Sequence, residues 1–314
     1  MASRQPTGLS AADVPSPVKR KRAPALAIRR QLNGYLFVLP ITVFFIVFTL
    51  YPALEAVRMS FFDFRRSGDV FVGLQNYKDI FGEERFVRAL GNTFLYVLYI
   101  VPCTIVFSLA VSSFIYSMSE RWTGFFRAVF YLPTVTSAVA ISLVWGWIFN
   151  PGEEALANRL LVLFHQQAQI WFVDPHMALY LIVFIILTVS VGQPIVLYTA
   201  AMGSISNDYY EAAKVDGASR LQQFTRITMP LLMPTTLYSV VITTINAFQT
   251  FIFIHLLTSG GPDHTTTSII YELYVEAFNT NKFGTASAMG IVLFLIVGLV
   301  AIFQFRSMTS KVEY

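Results

Sequence analysis

Six stretches of this 314-residue chain contain no Asp, Glu, Lys or Arg: 31–54, 89–119, 128–152, 175–207, 227–262 and 283–305. Nothing else in the sequence limits the fold so severely. A helix crosses the bilayer core in about 20 apolar residues, so each stretch can hold one span. Backbone groups in hydrocarbon must be bonded within their own segment, which selects helix for runs of this length. The expectation is an all-α membrane protein with six transmembrane helices. Composition agrees, with 55% hydrophobic and 13% charged residues, where soluble domains carry about 25% charge. Pro40, Pro102, Pro133 and Pro194 fall inside the runs. Membrane helices tolerate proline where neighbours satisfy the freed carbonyl.

The charges divide the chain further. Residues 1–30 are rich in Pro, Ser and Ala and carry Lys19-Arg20-Lys21-Arg22 and Arg29-Arg30, as a disordered basic tail would. Residues 31–306 form the six-helix domain, and 307–314 a short C-terminal tail. With the N-terminus in the cytoplasm, 14 Lys and Arg fall inside and 8 outside. That bias predicts a multi-pass protein with both termini cytoplasmic. Membrane topology thereby accounts for the net charge of +4 without nucleic acid. Trp145, Trp147 and Trp171 flank the second outer segment, where interfacial anchors belong.

Catalytic patterns are missing. The single cysteine, Cys103, rules out an internal disulfide or a Cys-based metal site. No G-x-x-x-x-G-K-[ST], H-E-x-x-H, Cys/His cluster or G-x-S-x-G occurs, so neither ATP hydrolysis nor a metal is expected on this chain. The spans lack the paired acids of a proton-coupled carrier, which suits an uncharged polar solute powered from elsewhere. A secondary carrier, a membrane-embedded enzyme and a structural scaffold are the alternatives.

The segment at about 203–230, between the fourth and fifth runs, predicts helix, glycine break, helix. Asp208 can cap the first helix, with Glu211 three residues on. Ala212 and Ala213 favour helix. Gly217 sits where a left-handed residue would end it. Ser219 then starts a second helix with Gln222 as capping-box partner, and Pro230 stops or kinks it. Two short helices at a glycine turn suit docking into a groove of another protein. An amphipathic connector lying on the membrane fits the same pattern.

The string Glu211-Ala212-Ala213-Lys214-Val215-Asp216-Gly217-Ala218, followed by Phe224, Ile227 and Pro230, resembles the "EAA" loop of ATP-binding-cassette (ABC) importer permeases. Ser206 stands where many members place a proline. Gly73-Leu74-Gln75-Asn76-Tyr77 is similar to the G-L-x-N-Y signature of carbohydrate permeases. Tyr131-Leu132-Pro133 resembles the start of their third helix. Leu257-Thr258-Ser259-Gly260-Gly261-Pro262 with Thr265-Thr266-Thr267 resembles the segment after helix five in the maltose and glycerol-phosphate type of first permease subunit.

The resemblance implies a type I importer permease fold in the bacterial cytoplasmic membrane. It implies four kinds of partner: a second homologous permease, a dimer of cytoplasmic ATPase that holds ATP and Mg, a solute-binding protein and a small carbohydrate. Glu211, Ala212, Ala213, Asp216, Gly217, Ala218, Phe224 and Pro230 would form the coupling surface for the ATPase. Thr243, Asn246 and Thr250 are spaced i, i+3 and i+7, a polar arc of roughly 60° on helix five. Ile245, Phe248 and Ile252 lie opposite, toward lipid. An Asn in a span should face protein or water, either a cavity or an interhelical hydrogen bond. The resemblance adds Ala247 to this stretch and Thr188, Gly192 and Ile195 on helix four as the sugar path. Thr188, Ala247 and Thr250 stand where that family carries additional Asn residues, which suggests a different or less polar ligand.

Overall fold

The computed structural model describes residues 24–65 and 68–309. Residues 1–23 of the expected basic tail and 310–314 of the C-terminal tail lie outside the described residues. The chain divides into two compact units, up to Leu54 and from Glu55 onward.

The described residues of the first unit, 24–54, are helical, and their last helix runs on to Met59. α1 (Pro24–Phe45) begins inside the expected tail, so residues 24–30 are helix. It runs through a π turn at Ile46–Leu50 into α2 (Tyr51–Met59). The π turn ends two residues before Pro52, which has no N–H for the carbonyl four residues back.

In the second unit a β-hairpin pairs β1 (Phe62–Arg65) with β2 (Gly68–Phe71) in antiparallel register, Phe62 opposite Phe71. α3 (Gln75–Gly82) and the long α4 (Glu84–Tyr116) follow. Here the G-L-x-N-Y residues act as a structural clasp. Gly73 takes φ +58°. The Asn76 amide donates to the carbonyls of Ser60 (2.8 Å) and Phe62 (3.0 Å), and the Tyr77 hydroxyl donates to Ser60 Oγ (2.8 Å).

The third run is a broken helix. α5 (Glu120–Val135) and α6 (Ala138–Ile148) meet at 97°, with Thr136 and Ser137 extended between them. Tyr131-Leu132-Pro133 therefore ends a helix, correcting the expectation that it starts one. Charged Glu120, Arg121 and Arg127 mask the true start from a reading based on charge-free runs. α7 (Leu156–Leu163) follows. α8 (Ala178–Ser190) and α9 (Gly192–Gly203) then form a second bent pair, at 42°. Pro194 leaves the Ser190 carbonyl without its N–H, which accounts for a bend at that point.

α10 (Asn207–Val215), α11 (Arg220–Gln223), a π turn at Phe224–Thr228 and α12 (Met229–Leu231) lead into α13 (Met233–Phe248) and α14 (Ile252–Leu257). α15 (Ile269–Tyr274) with its π turn at Val275–Asn279 precedes α16 (Phe283–Thr309). Among the described residues, four helical stretches are long and apolar enough to cross a membrane: Tyr35–Met59, Glu84–Tyr116, Met233–Leu257 and Phe283–Met308. Each bent pair passes the same test jointly. The six charge-free runs thus overlap these four stretches and the two bent pairs.

Small polar residues bring the helices together, as they do where lipid removes the hydrophobic drive for association. Ser108 and Ser112 of α4, both fully buried, donate to the carbonyls of Val191 (3.2 Å) and Ile195 (3.1 Å). The Thr134 hydroxyl of α5 donates to the Val189 carbonyl (2.8 Å). A Cβ at Gly192 would overlap Phe130 O and Thr134 Oγ1, so this glycine sets the close approach of α9 to α5. The main apolar core gathers Tyr96, Ile100, Ile182, Ile185 and Ile254.

Candidate functional site

Two places bring the sequence candidates together. The first is the loop joining α9 to α13. Ser206, rather than Asp208, is the N-cap of α10, its hydroxyl accepting from Asp208 N (3.3 Å). The first helical residue is then Asn207, so Glu211 lies beyond the capping-box position and stays exposed on the helix surface. The second cap forms as expected, with Ser219 and Gln222 bonding each other's backbone N–H (3.3 and 2.8 Å). Gly217 takes φ +75° between the helices. Ala212, Asp216 and Gly217 are exposed, and Ala213 and Ala218 half-buried. Val215 (89% exposed) and Leu221 (71%) add bare apolar surface. A π turn over Phe224–Thr228 ends two residues before Pro230, repeating the pattern at Pro52. An exposed face carrying small, acidic and apolar side chains is suited to contact with another protein.

The second place is a cavity of about 420 Å³ in the middle of the second unit. The α5–α6 break contributes Thr134 and Thr136, and the α8–α9 bend contributes Ser190 and Gln193. α13 contributes Tyr238, Ser239, Thr243 and Asn246, and the unwound turn after it Gln249, Thr250 and Phe251. No charged residue lines it among those described. Hydroxyls and amides over aliphatic and aromatic walls can hydrogen-bond a neutral polyol and stack on its apolar ring faces.

Of the helix-five candidates, Thr243, Asn246, Ala247 and Thr250 all border this cavity. Asn246 and Gln249 are exposed, while the Thr250 hydroxyl is turned back onto the Ala247 carbonyl (2.9 Å). Phe248 departs from the expected lipid face. It is fully buried and meets Phe94 edge-on at 5.6 Å, because α4 and α16 both pack on α13. The helix-four candidates do not border the cavity. Thr188 bonds the Ile185 carbonyl (2.6 Å), Gly192 is spent on the α5 contact and Ile195 is fully buried. The bend after Ser190 turns Val189, Ser190 and Gln193 inward instead.

The segment after helix five, marked in the sequence by its resemblance alone, is held together by hydrogen bonds that no spacing rule gives. Thr258 and Thr266 bond through their hydroxyls (2.8 Å), and Thr266 Oγ1 donates to the Gly261 carbonyl (2.7 Å). Tyr96 of α4 donates to the Thr266 carbonyl (2.8 Å). Gly260 takes φ +82°, and a Cβ there would strike the Tyr271 ring. Two acids outside the spans are buried: Glu272 accepts from Thr267 (2.9 Å), and Glu276 pairs with Lys282 (3.3 Å). Both have partners and neither lines the cavity.

Known proteins share this plan. A family model described as "Binding-protein-dependent transport system inner membrane component" matches residues 80–314. A probable ABC transporter permease protein of Bacillus subtilis (strain 168), YesP, is 34% identical over 300 residues, covering 92% of this chain and 94% of its own. The sn-glycerol-3-phosphate transport system permease protein UgpA of Escherichia coli (strain UTI89 / UPEC) is 30% identical over 294 residues, covering 91% and 97%. The fold matches a chain in the crystal structure of a bacterial ABC transporter that imports the acidic polysaccharide alginate, with TM-score 0.80 and 24% identity over 92% of this chain and 99% of that one. The chain belongs to the family of inner membrane components of binding-protein-dependent transport systems.

Proposed function

We propose that this chain is a transmembrane permease subunit of an ABC importer that moves a neutral sugar or sugar-like solute. The single observation that carries the substrate class is the cavity, rich in hydroxyl and amide groups and free of charge among the described residues. Its volume of about 420 Å³ falls in the range of roughly 300–1,000 Å³ that holds small ligands. Relatives named for multiple-sugar, arabinooligosaccharide and lactose transport support the same class.

In this reading the two bent pairs each cross the bilayer once, giving six spans with both termini cytoplasmic. Residues 203–230 then face the cytoplasm. Glu211, Ala212, Ala213, Asp216, Gly217, Ala218, Phe224 and Pro230 couple the chain to an ATPase dimer, which holds ATP and Mg. A second permease completes the cavity, and a solute-binding protein delivers the sugar. Thr243, Asn246, Gln193 and Gln249 are the ligand-facing groups; Thr188, Gly192 and Ile195 support the helices behind them.

The test is sugar uptake into proteoliposomes by the complete complex. Asn246→Leu is expected to lower uptake at least several-fold while assembly and basal ATP hydrolysis survive. Unchanged uptake would place the path elsewhere, and failed assembly would make Asn246 a packing residue.

A further inference from the structure

α7 is built inside out. Its fully buried polar residue is Asn158, while Leu156, Leu160, Val162 and Leu163 are exposed beside Arg159. At about 100° per residue, Leu156, Leu160 and Leu163 fall within roughly 60° of one another. They are 56%, 53% and 71% exposed, and Phe164, next in line, is 71% exposed. Ala157 and Asn158 occupy the buried arc. In water such a helix would point the other way.

Asn158 also sets the depth of α7. Its Nδ2 lies 3.1–3.2 Å from the carbonyls of Pro151, Gly152 and Gln169. Its Oδ1 accepts from Gln169 N (3.0 Å) and Trp171 Nε1 (2.9 Å). Trp171 meets Phe149 at 5.1 Å and packs on the cluster that includes Leu179 and Ile182, in the first two turns of α8. α7 is therefore tied level with one end of the α8–α9 span. That placement rests on reading the pair as a span, as proposed above.

We propose that α7 is an interfacial helix, lying along one membrane surface with Leu156, Leu160, Leu163 and Phe164 in the lipid. Three observations favour lipid over a protein partner. The helix that α7 packs against, α6, is likewise bare at Leu143 (67%) and Trp147 (84%). Four side chains expose on the order of a few hundred Å², below the about 800 Å² per partner of a stable protein interface. Arg159, the only charged residue of α7, lies at the margin of the stripe and is held by Glu154, so its apolar stem can lie in the stripe while its head stays at the headgroup level.

The test replaces Leu160, and separately Leu163, with benzoylphenylalanine in the complete complex in native membranes, followed by irradiation and mass spectrometry. Phe294 of α16 (73% exposed) serves as a position within a span, and Glu153 as a polar neighbour. Phospholipid adducts at Leu160 and Leu163, with none at Glu153, are expected. Cross-links to the second permease or the binding protein at those positions would overturn the proposal, making the stripe a docking face. Lipid adducts at Phe294 but none at Leu160 or Leu163 would overturn it while leaving the spans intact. Aqueous behaviour at all three apolar positions would remove the spanning reading and the proposal with it.

Discussion

Gly217 shows what one residue contributes to the proposed coupling surface. It holds φ +75° with nothing within 4 Å of where a Cβ would stand, so a side chain there is opposed by backbone conformation rather than by a neighbour. Left-handed backbone costs an L residue about 1–2 kcal/mol, and Asn less than most. Gly217→Val is expected to leave membrane insertion intact and to lose co-purification of the ATPase, whereas Gly217→Asn should retain most of it. Equal binding by both variants and the parent would take the coupling role away from this turn. The position was legible from sequence because a glycine between two cappable helices has few other uses. The Ser219–Gln222 box was legible for the same reason. The first cap was not. Ser206 and Asp208 are both good caps, and only the extended backbone at Ser206 decides between them.

Helices meet where side chains are smallest, and α9 against α5 is the clearest case. Any Cβ at Gly192 overlaps backbone as well as a side chain, so the helices must separate or bend further. Overpacking of this kind costs about 1–3 kcal/mol. Gly192→Ala is expected to lower the thermal midpoint of the purified complex, while Gly91→Ala, inside α4 where a Cβ meets nothing within 4 Å, should hold or raise it. A thermal scan followed by intrinsic fluorescence reads both. Elements were legible to the extent that bilayer physics fixes their length and charge. Bends were less so: from sequence Pro194 reads only as a proline tolerated within the fourth run, and the face it redirects, Gln193 in and Ile195 away, depends on a rotation no spacing rule carries. The bonds around Asn158 and Glu272 were illegible because their partners come from loops with no periodicity.

In the proposed reading the molecule as a whole is one part of a larger device. Large apolar side chains stay bare on α4, α6, α8 and α16, including Leu98, Leu143, Phe184 and Phe294, and the family is one of components of a larger transport system. This chain reconstituted alone is expected to show neither ATP hydrolysis nor sugar uptake, with both appearing only when the second permease and the ATPase are added. Uptake by the single chain would refute the shared-cavity reading. Asn246 and Gln249, polar groups at the border of the cavity, stand exposed. If a second permease completes the cavity as proposed, a preference for one sugar is written half in this gene and half in another. A substitution that shifts taste in one copy brings benefit only beside a matching change in its neighbour, so the two genes should drift as a pair and travel together when a cell acquires a new diet.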